Sequence, residues 1–285
     1  LQCLHKLFIE RVDFMKSSIE ELKDKARELR LNIVKMVGPD KAGHFGGSCS
    51  IADVVAALYF SKMKHDPKNP KWEDRDRLIF SKGHAAIVQY AALGMCGYFP
   101  KEDLASLKTL GSKLQGHPDM RKTIGIEANT GSLGQGLSIS CGIAAGARLD
   151  EKSYRVYCIV GDGEINEGQI WEAAMAASNY KLDNLAVILD RNRLQATGAI
   201  VERFDTNPLK EKWEAFNWNV IEIDGHDMEQ IVNALDSAEK VKGKPTVIIA
   251  NTIKGKGIKC AENNAAFHNG SMTQEQYEQA CKCLM

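Results

Sequence analysis

A surplus of charge is the first thing missing: 37 Lys and Arg side chains balance 37 Asp and Glu. Nothing electrostatic therefore draws the chain to nucleic acid or to an anionic membrane surface. Also missing is any run of the roughly 18 consecutive apolar residues that a membrane-spanning helix needs. The eight cysteines, at positions 3, 49, 96, 141, 158, 260, 281 and 283, contain no C-x-x-C pair and no spacing that reads as a disulfide framework. Such scatter fits a reducing compartment, and a cytoplasmic location is expected. Cys281 and Cys283 form a C-x-C pair with no second pair nearby, which reads as a frayed tail rather than a metal site. No internal repeat or low-complexity linker interrupts the 285 residues, enough for one large core. Small molecules or other proteins are the expected partners.

What is present begins with Gly161-Asp162-Gly163 and, about 30 residues later, Asp190-Arg191-Asn192-Arg193-Leu194. Gly-Asp-Gly alone is ordinarily a turn. Its setting changes the reading. Residues 154–160 and 184–190 are β-branched, mostly apolar runs that read as buried parallel strands. Between them, residues 168–180 are rich in helix formers, so the whole is one βαβ unit. The acidic turn then lies at the carboxyl end of the first strand and Asn192 at the end of the second, the edge where open α/β sheets bind ligands. A carboxylate and a carboxamide there can both offer oxygen to Mg²⁺, while the glycines let backbone N–H groups approach a phosphate. The expected task is to hold a diphosphate through a metal.

The rest of the chain repeats the alternation. Helices are expected at about 17–37, 50–62, 85–97, 134–148 and 228–239, and further strands at 77–81, 218–223 and 245–250. A glycine-rich loop is expected at 38–47. This pattern predicts an α/β fold: a doubly wound parallel sheet with helices on both faces. The run from Met15, with Ser ahead of Glu in capping order, opens the first helix. We expect residues 1–16 to be an N-terminal extension, 17–270 the diphosphate- and metal-binding domain, and 271–285 a C-terminal tail.

Four of the seven histidines, His44, His84, His117 and His226, directly follow glycine. With 24 glycines in 285 residues, fewer than one such pair is expected by chance. Glycine permits turns that expose the imidazole, which can then donate to phosphate or move protons near neutral pH. His226 is set apart, because it precedes Asp227 at a helix entry and reads as structural. His268 joins the candidates from a loop rich in glycine and asparagine. The run Gly131-Ser-Leu-Gly134-Gln-Gly136 lacks the G-x-G-x-x-G spacing, which disfavours a nicotinamide site. It serves either a flat heterocycle or close helix packing.

As a set, Gly43-His44-x-Gly46-Gly47, Ser81-Lys-Gly-His84, Gly116-His117-Pro118, Thr130-Gly-Ser-Leu-Gly-Gln-Gly136, Gly161-Asp-Gly-x-x-x-Glu167-Gly168 and Asp190-x-Asn192 resemble, in order, the thiamine-diphosphate domain of transketolases. The resemblance runs from about residue 17 to 270 and covers only the N-terminal half of a full-length member. It therefore implies the N-terminal subunit of a split transketolase. The pyrimidine-binding and C-terminal domains would belong to a partner chain, with two copies of each subunit. By resemblance Asp162, Asn192 and the carbonyl of Leu194 hold Mg²⁺, with Ca²⁺ or Mn²⁺ as substitutes. Gly163 donates to the diphosphate. His84 and His268 contact the diphosphate or the reacting oxygens, and Gly131 and Leu133 meet the aminopyrimidine. His44 and His117 face the ketose hydroxyls. Glu167 enters a carboxylate network reaching the partner, which also supplies the cofactor-activating glutamate. The chain alone should bind cofactor poorly and catalyse nothing.

The implied reaction moves a two-carbon ketol unit from a ketose, usually a sugar phosphate or another anionic ketose, to an aldose acceptor, as in the pentose phosphate pathway. Three positions depart from the family. Phe45 and Ser132 stand where proline is usual, and Cys49 follows Gly47-Ser48. Phe45 and Cys49 border the expected sugar site and suggest an unusual donor. The arginines flanking Asn192 read as a solvated face. Two other functions stay open: a synthase of the deoxyxylulose-phosphate type or a 2-oxo-acid decarboxylating enzyme, and a non-catalytic scaffold.

Overall fold

The computed structural model describes residues 17–285, so the expected extension at 1–16 lies outside the described residues. In chain order the elements are α1 (Ile19–Val37), α2 (Phe45–Ser50), α3 (Ala52–Ala57), β1 (Arg77–Phe80), α4 (Ala86–Cys96), α5 (Gln135–Leu149), β2 (Val156–Gly161), α6 (Gly168–Asn179) and β3 (Leu185–Arg191). A two-residue hairpin follows, β4 (Leu194–Gln195) and β5 (Gly198–Ala199), then α7 (Ile200–Arg203), α8 (Leu209–Ala215), β6 (Asn219–Asp224), α9 (Met228–Lys240), β7 (Thr246–Asn251) and α10 (Gln274–Leu284). The expected helix at 50–62 is broken into α3 and a π-helical turn over Leu58–Lys62, and the expected loop already becomes α2 at Phe45.

Five strands form one parallel sheet in the order β1-β2-β3-β7-β6. Period-two alternation sends their side chains to opposite faces. Tyr157 and Ile159 of β2, with Ile188 of β3, pack into a core shared with α1, α3, α4 and α9, whereas Val156, Cys158 and Val160 face α5, α6 and α8. Both faces are covered, as the doubly wound expectation requires. Each large apolar side chain buried this way contributes about 1.5–3 kcal/mol, so a charge at Ile188, which is 1% exposed, would break the fold.

Local signals explain the helix ends. Ser18 caps α1 in a full capping box, its Oγ accepting from Glu21 N at 3.2 Å while its own N donates to Glu21 Oε2 at 2.7 Å. Asp227 caps α9 through Glu229 N and Gln230 N. The last residues, read from sequence as a frayed tail, instead form α10, capped by Thr273 and packed on α1. Cys281 lies on it against the core and Cys283 is exposed.

Candidate functional site

The sheet register sets the site. Gly161 pairs with Asp190, Asp190 with Ala250, and Arg191 with Asn251, so β2, β3 and β7 end at one level. From this edge the chain turns into a cleft of about 390 Å³ lined by His84, Leu133, Asp162, Gly163, Glu167, Asn192, Leu194 and His268. Eight of the expected positions thus share one wall. His44 and His117 lie just beyond it. The His44 ring is 5.3 Å from His84, 5.5 Å from His268 and 6.1 Å from His117, and His84 is 4.9 Å from His268. Four imidazoles from four separate loops form one cluster.

Glycine is required where two loops touch. A side chain at Gly83 would meet Gly131 N and Thr130 C, each at 2.7 Å, and one at Gly136 would lie 2.4 Å from Ser81 Cα. Gly131 itself has φ +150° with its Cα side against the His117 ring. The packing reading of the Gly131–Gly136 run holds at Gly136, and Leu133 faces the cleft.

At the carboxylate end, Asp162 is 3% exposed. It accepts from Gly163 N at 2.9 Å and from Arg193 N at 2.5 Å; Lys254 and Lys82 act on it through space, but among the described residues no cationic side chain is bonded to it. Burial, reinforced by the Asp190 carboxylate, pushes its pKa up to about 7. Asn192 Oδ1 accepts from Leu194 N at 3.1 Å, and Leu194 O accepts from Lys254 Nζ at 2.7 Å. A buried carboxylate, a carboxamide oxygen and a main-chain carbonyl form an all-oxygen donor set suited to a hard divalent ion. The residues present fit Mg²⁺. No group of three His, Cys, Asp or Glu side chains suited to a metal occurs among the described residues.

At the imidazole end, burial and then the neighbouring charges keep the rings of His44, His84 and His268 neutral. The pKa of His44 is lowered to about 4 by burial, His117 and Lys108. That of His84 falls to about 2 through burial and Lys82, and that of His268 to about 4 through burial and Lys254. Lys254 is itself lowered to about 8 by burial and Lys82. Its Nζ lies 2.9 Å from His268 Nδ1.

Three buried charged residues escaped the sequence reading. Glu164 accepts from Ser81 Oγ, from Gly134 N at 2.9 Å and from Gly161 N at 2.9 Å, so it fastens the ends of β1 and β2 to the start of α5. Lys82, 2% exposed, donates to Gly47 O at 2.9 Å and pairs with Asp190. Lys254 bridges the two ends of the cleft. Glu164 and Lys82 lie in motifs that were read for their glycines or histidine, Lys254 follows an expected strand, and only the tertiary fold reveals the burial.

Other expectations are revised. Phe45 and Cys49 are fully buried, and the Phe45 ring stacks 5.4 Å from Phe267, so neither side chain lines the cleft. The arginines flanking Asn192 lie at the surface as expected: Arg193 is exposed, and Arg191 is half-buried with exposed bonds to Glu222 at 3.1 Å and Asn207 at 3.0 Å. Glu167 is exposed at the cleft rim, ahead of α6. His226 is structural as expected: its Nε2 accepts from Ile253 N, so its Nδ1–H donates to Asp53 Oδ2 at 2.8 Å.

The sequence signature described as "Transketolase, thiamine diphosphate binding domain" matches residues 21–284. The chain belongs to this transketolase family. A relative named as a subunit of 6-deoxy-6-sulfo-D-fructose transketolase, from Clostridium sp. (strain MSTE9), is 46% identical over 91% of the chain and 94% of its own length. Another, named as a subunit of apulose-4-phosphate transketolase, from Phocaeicola vulgatus, is 42% identical over 93% of the chain and 94% of its own length. Among solved structures, transketolase from Campylobacter jejuni superposes with a TM-score of 0.87 at 36% identity, over 93% of this chain and 43% of that one. This transketolase domain thus spans nearly the whole of relatives named as subunits, and less than half of the one-chain transketolase. Among the described residues no helix is long and apolar enough to cross a membrane.

Proposed function

We propose that the chain is the diphosphate-binding subunit of a two-chain, cytoplasmic transketolase that moves a two-carbon ketol unit from an anionic ketose to an aldose. One observation carries this: the chain covers 94% of a relative named as a transketolase subunit but 43% of a one-chain transketolase. Asp162, Asn192 and the Leu194 carbonyl would hold Mg²⁺, and the Gly163 N–H would donate to the diphosphate. When bound, thiamine diphosphate supplies the nucleophilic carbon that breaks and remakes the ketose carbon–carbon bond.

The chain's own part is binding and proton handling. His44, His84 and His268 are neutral at pH 7, so each offers a sugar hydroxyl one N–H donor and one acceptor nitrogen, and His117 completes the cluster. Four imidazoles suit a polyol better than a 2-oxo acid, which disfavours the decarboxylase alternative. Glu167, exposed at the rim, is placed to meet the partner. That partner would carry the pyrimidine-binding and C-terminal domains, in an assembly with two copies of each chain. The names of the relatives suggest a ketose ending in sulfonate or phosphate.

The test mixes the purified chain with the C-terminal partner chain, thiamine diphosphate and Mg²⁺. Donors are 6-deoxy-6-sulfofructose, apulose 4-phosphate and fructose 6-phosphate, each with an aldose acceptor. Transfer should appear only with both chains present. Turnover by the isolated chain, or release of CO₂ from pyruvate by the pair, would refute the proposal.

A further inference from the structure

Asp190 lies at the end of β3, completely buried, and collects donors from four parts of the chain. Its Oδ2 accepts from Ser50 Oγ on α2 at 2.6 Å, from the Lys82 ammonium beyond β1, and from Asn192 Nδ2 at 3.0 Å. Its Oδ1 accepts from Thr252 Oγ1 beyond β7. The Lys82 ammonium forms an ion pair with the carboxylate, and all four side chains reach it as donors. An ionised carboxylate only accepts hydrogen bonds. The neighbouring Asn192, 7% exposed, can therefore present only its NH₂ to Asp190. Its oxygen must face the other way, where it lies 3.1 Å from Leu194 N. A carboxamide that could otherwise flip is fixed with its acceptor on the Asp162 and Leu194 side.

We propose that Asp190 is a positioning residue for the metal: by accepting from the Asn192 NH₂ it holds the Asn192 oxygen as a ligand, with Thr252, Ser50 and Lys82 holding Asp190 in turn. This rests on the reading of Asp162, Asn192 and the Leu194 carbonyl as the metal donors. Asp190 itself stays off the ion, because both of its oxygens are occupied by donors from the protein. Partners that orient ligands in this way are ordinarily worth ten- to hundredfold in metal affinity. An asparagine at 190 has a single carbonyl oxygen for four donors and an NH₂ of its own, so the amide at 192 loses its reason to point one way.

The test uses the two-chain assembly with thiamine diphosphate and titrates Mn²⁺, following bound ion by electron paramagnetic resonance and its inner-sphere waters by proton relaxation. Asp190→Asn should weaken Mn²⁺ binding by about ten- to hundredfold. The ion still bound should carry one more exchangeable water, in place of the Asn192 oxygen. Thr252→Val, close to isosteric, frees Oδ1 and should weaken binding by a smaller factor with the same direction of change in relaxation. If Asp190→Asn does not fold, Thr252→Val decides alone. Thermal midpoints measured without metal separate a purely structural role, which would lower the midpoint yet leave affinity and water count at wild-type values, and that result overturns the inference. A wild-type assembly that takes up no Mn²⁺ overturns both the inference and the metal-site reading beneath it.

Discussion

At the Asp162 end of the cleft, the side-chain oxygens and the Leu194 carbonyl are held by donors from the protein, whereas at the histidine end the rings touch mainly one another. Asp162, Asn192, Leu194 and Asp190 are tied through Gly163, Arg193, Lys82, Ser50, Thr252 and Lys254. Of the four imidazoles, only that of His268 is hydrogen bonded to another side chain among the described residues, at Lys254. The difference fits the two tasks proposed for these ends. Holding a diphosphate through a metal needs fixed oxygens, since a misplaced ligand forfeits affinity. Handing protons to and from a polyol needs neutral rings that keep a free nitrogen, and bonding those nitrogens within the protein would consume the function.

The largest test of this contrast is Asp162→Ala. Removing the carboxylate should abolish measurable ketol transfer by the two-chain enzyme and cofactor-dependent Mn²⁺ binding. Yet the metal-free chain should be at least as stable as wild type in thermal melts at pH 8, because a buried carboxylate without a cation is costly. A large loss of stability would show that Asp162 is held for the fold rather than for a ligand.

His117→Asn probes the other end and should act on rate alone. General acid–base groups contribute about a hundredfold or more, so kcat should fall by roughly that factor with Mn²⁺ affinity unchanged. Loss of metal binding in this variant would erase the division between the two ends.

A third substitution asks what stands behind the histidines. Phe45 and Phe267 stack in the core directly beside His44 and His268. Phe45→Leu removes aromatic contact and should cost about 1–2 kcal/mol in denaturant unfolding. The loosened histidines should lower kcat by less than about tenfold, again leaving metal binding alone. Donor preference should not change, because Phe45 does not reach the cleft. A switch in donor preference would restore the sequence-based view that this departure reads the sugar.

The direction of the Phe45 side chain was not legible in sequence, for a physical reason. Phe45 is adjacent in sequence to His44 but begins α2, where a helical turn sends successive side chains in different directions, and it points inward. By contrast, Asp162 and Asn192 were legible because strand ends carry their meaning in spacing: one βαβ crossover forces both to one edge. The glycine-linked histidines were legible as a group because their number exceeds chance. Glu164, Lys82, Lys254 and the role of Asp190 were not. A buried charge looks like a surface charge in sequence, and only contacts across as many as 140 positions, as between Ser50 and Asp190, tell them apart. The helix at the C-terminus was missed although Thr273 and Gln276 form a capping box, a signal that could have revealed it.

The smallest expected effect separates the two ends by pH. The folded-state pKa values of His44, His84 and His268 lie below the ordinary 6.5. Between about pH 4 and 6.5 the unfolded chain therefore binds more protons, and the stability these rings contribute, fully present above 6.5, is lost as pH falls. Asp162 runs the other way. Its folded-state pKa of about 7 lies above the ordinary 3.8, so its contribution is present at low pH and lost as pH rises through 7. In the metal-free chain the two trends oppose each other across the same window and flatten the stability profile. Asp162→Asn removes one of them while keeping the side-chain shape. Urea midpoints of that variant should therefore climb more steeply from pH 4.5 to 6.5 than those of wild type. Equal slopes would mean that Asp162 is already ionised and paired in the metal-free chain, and that the two ends do not titrate in opposition.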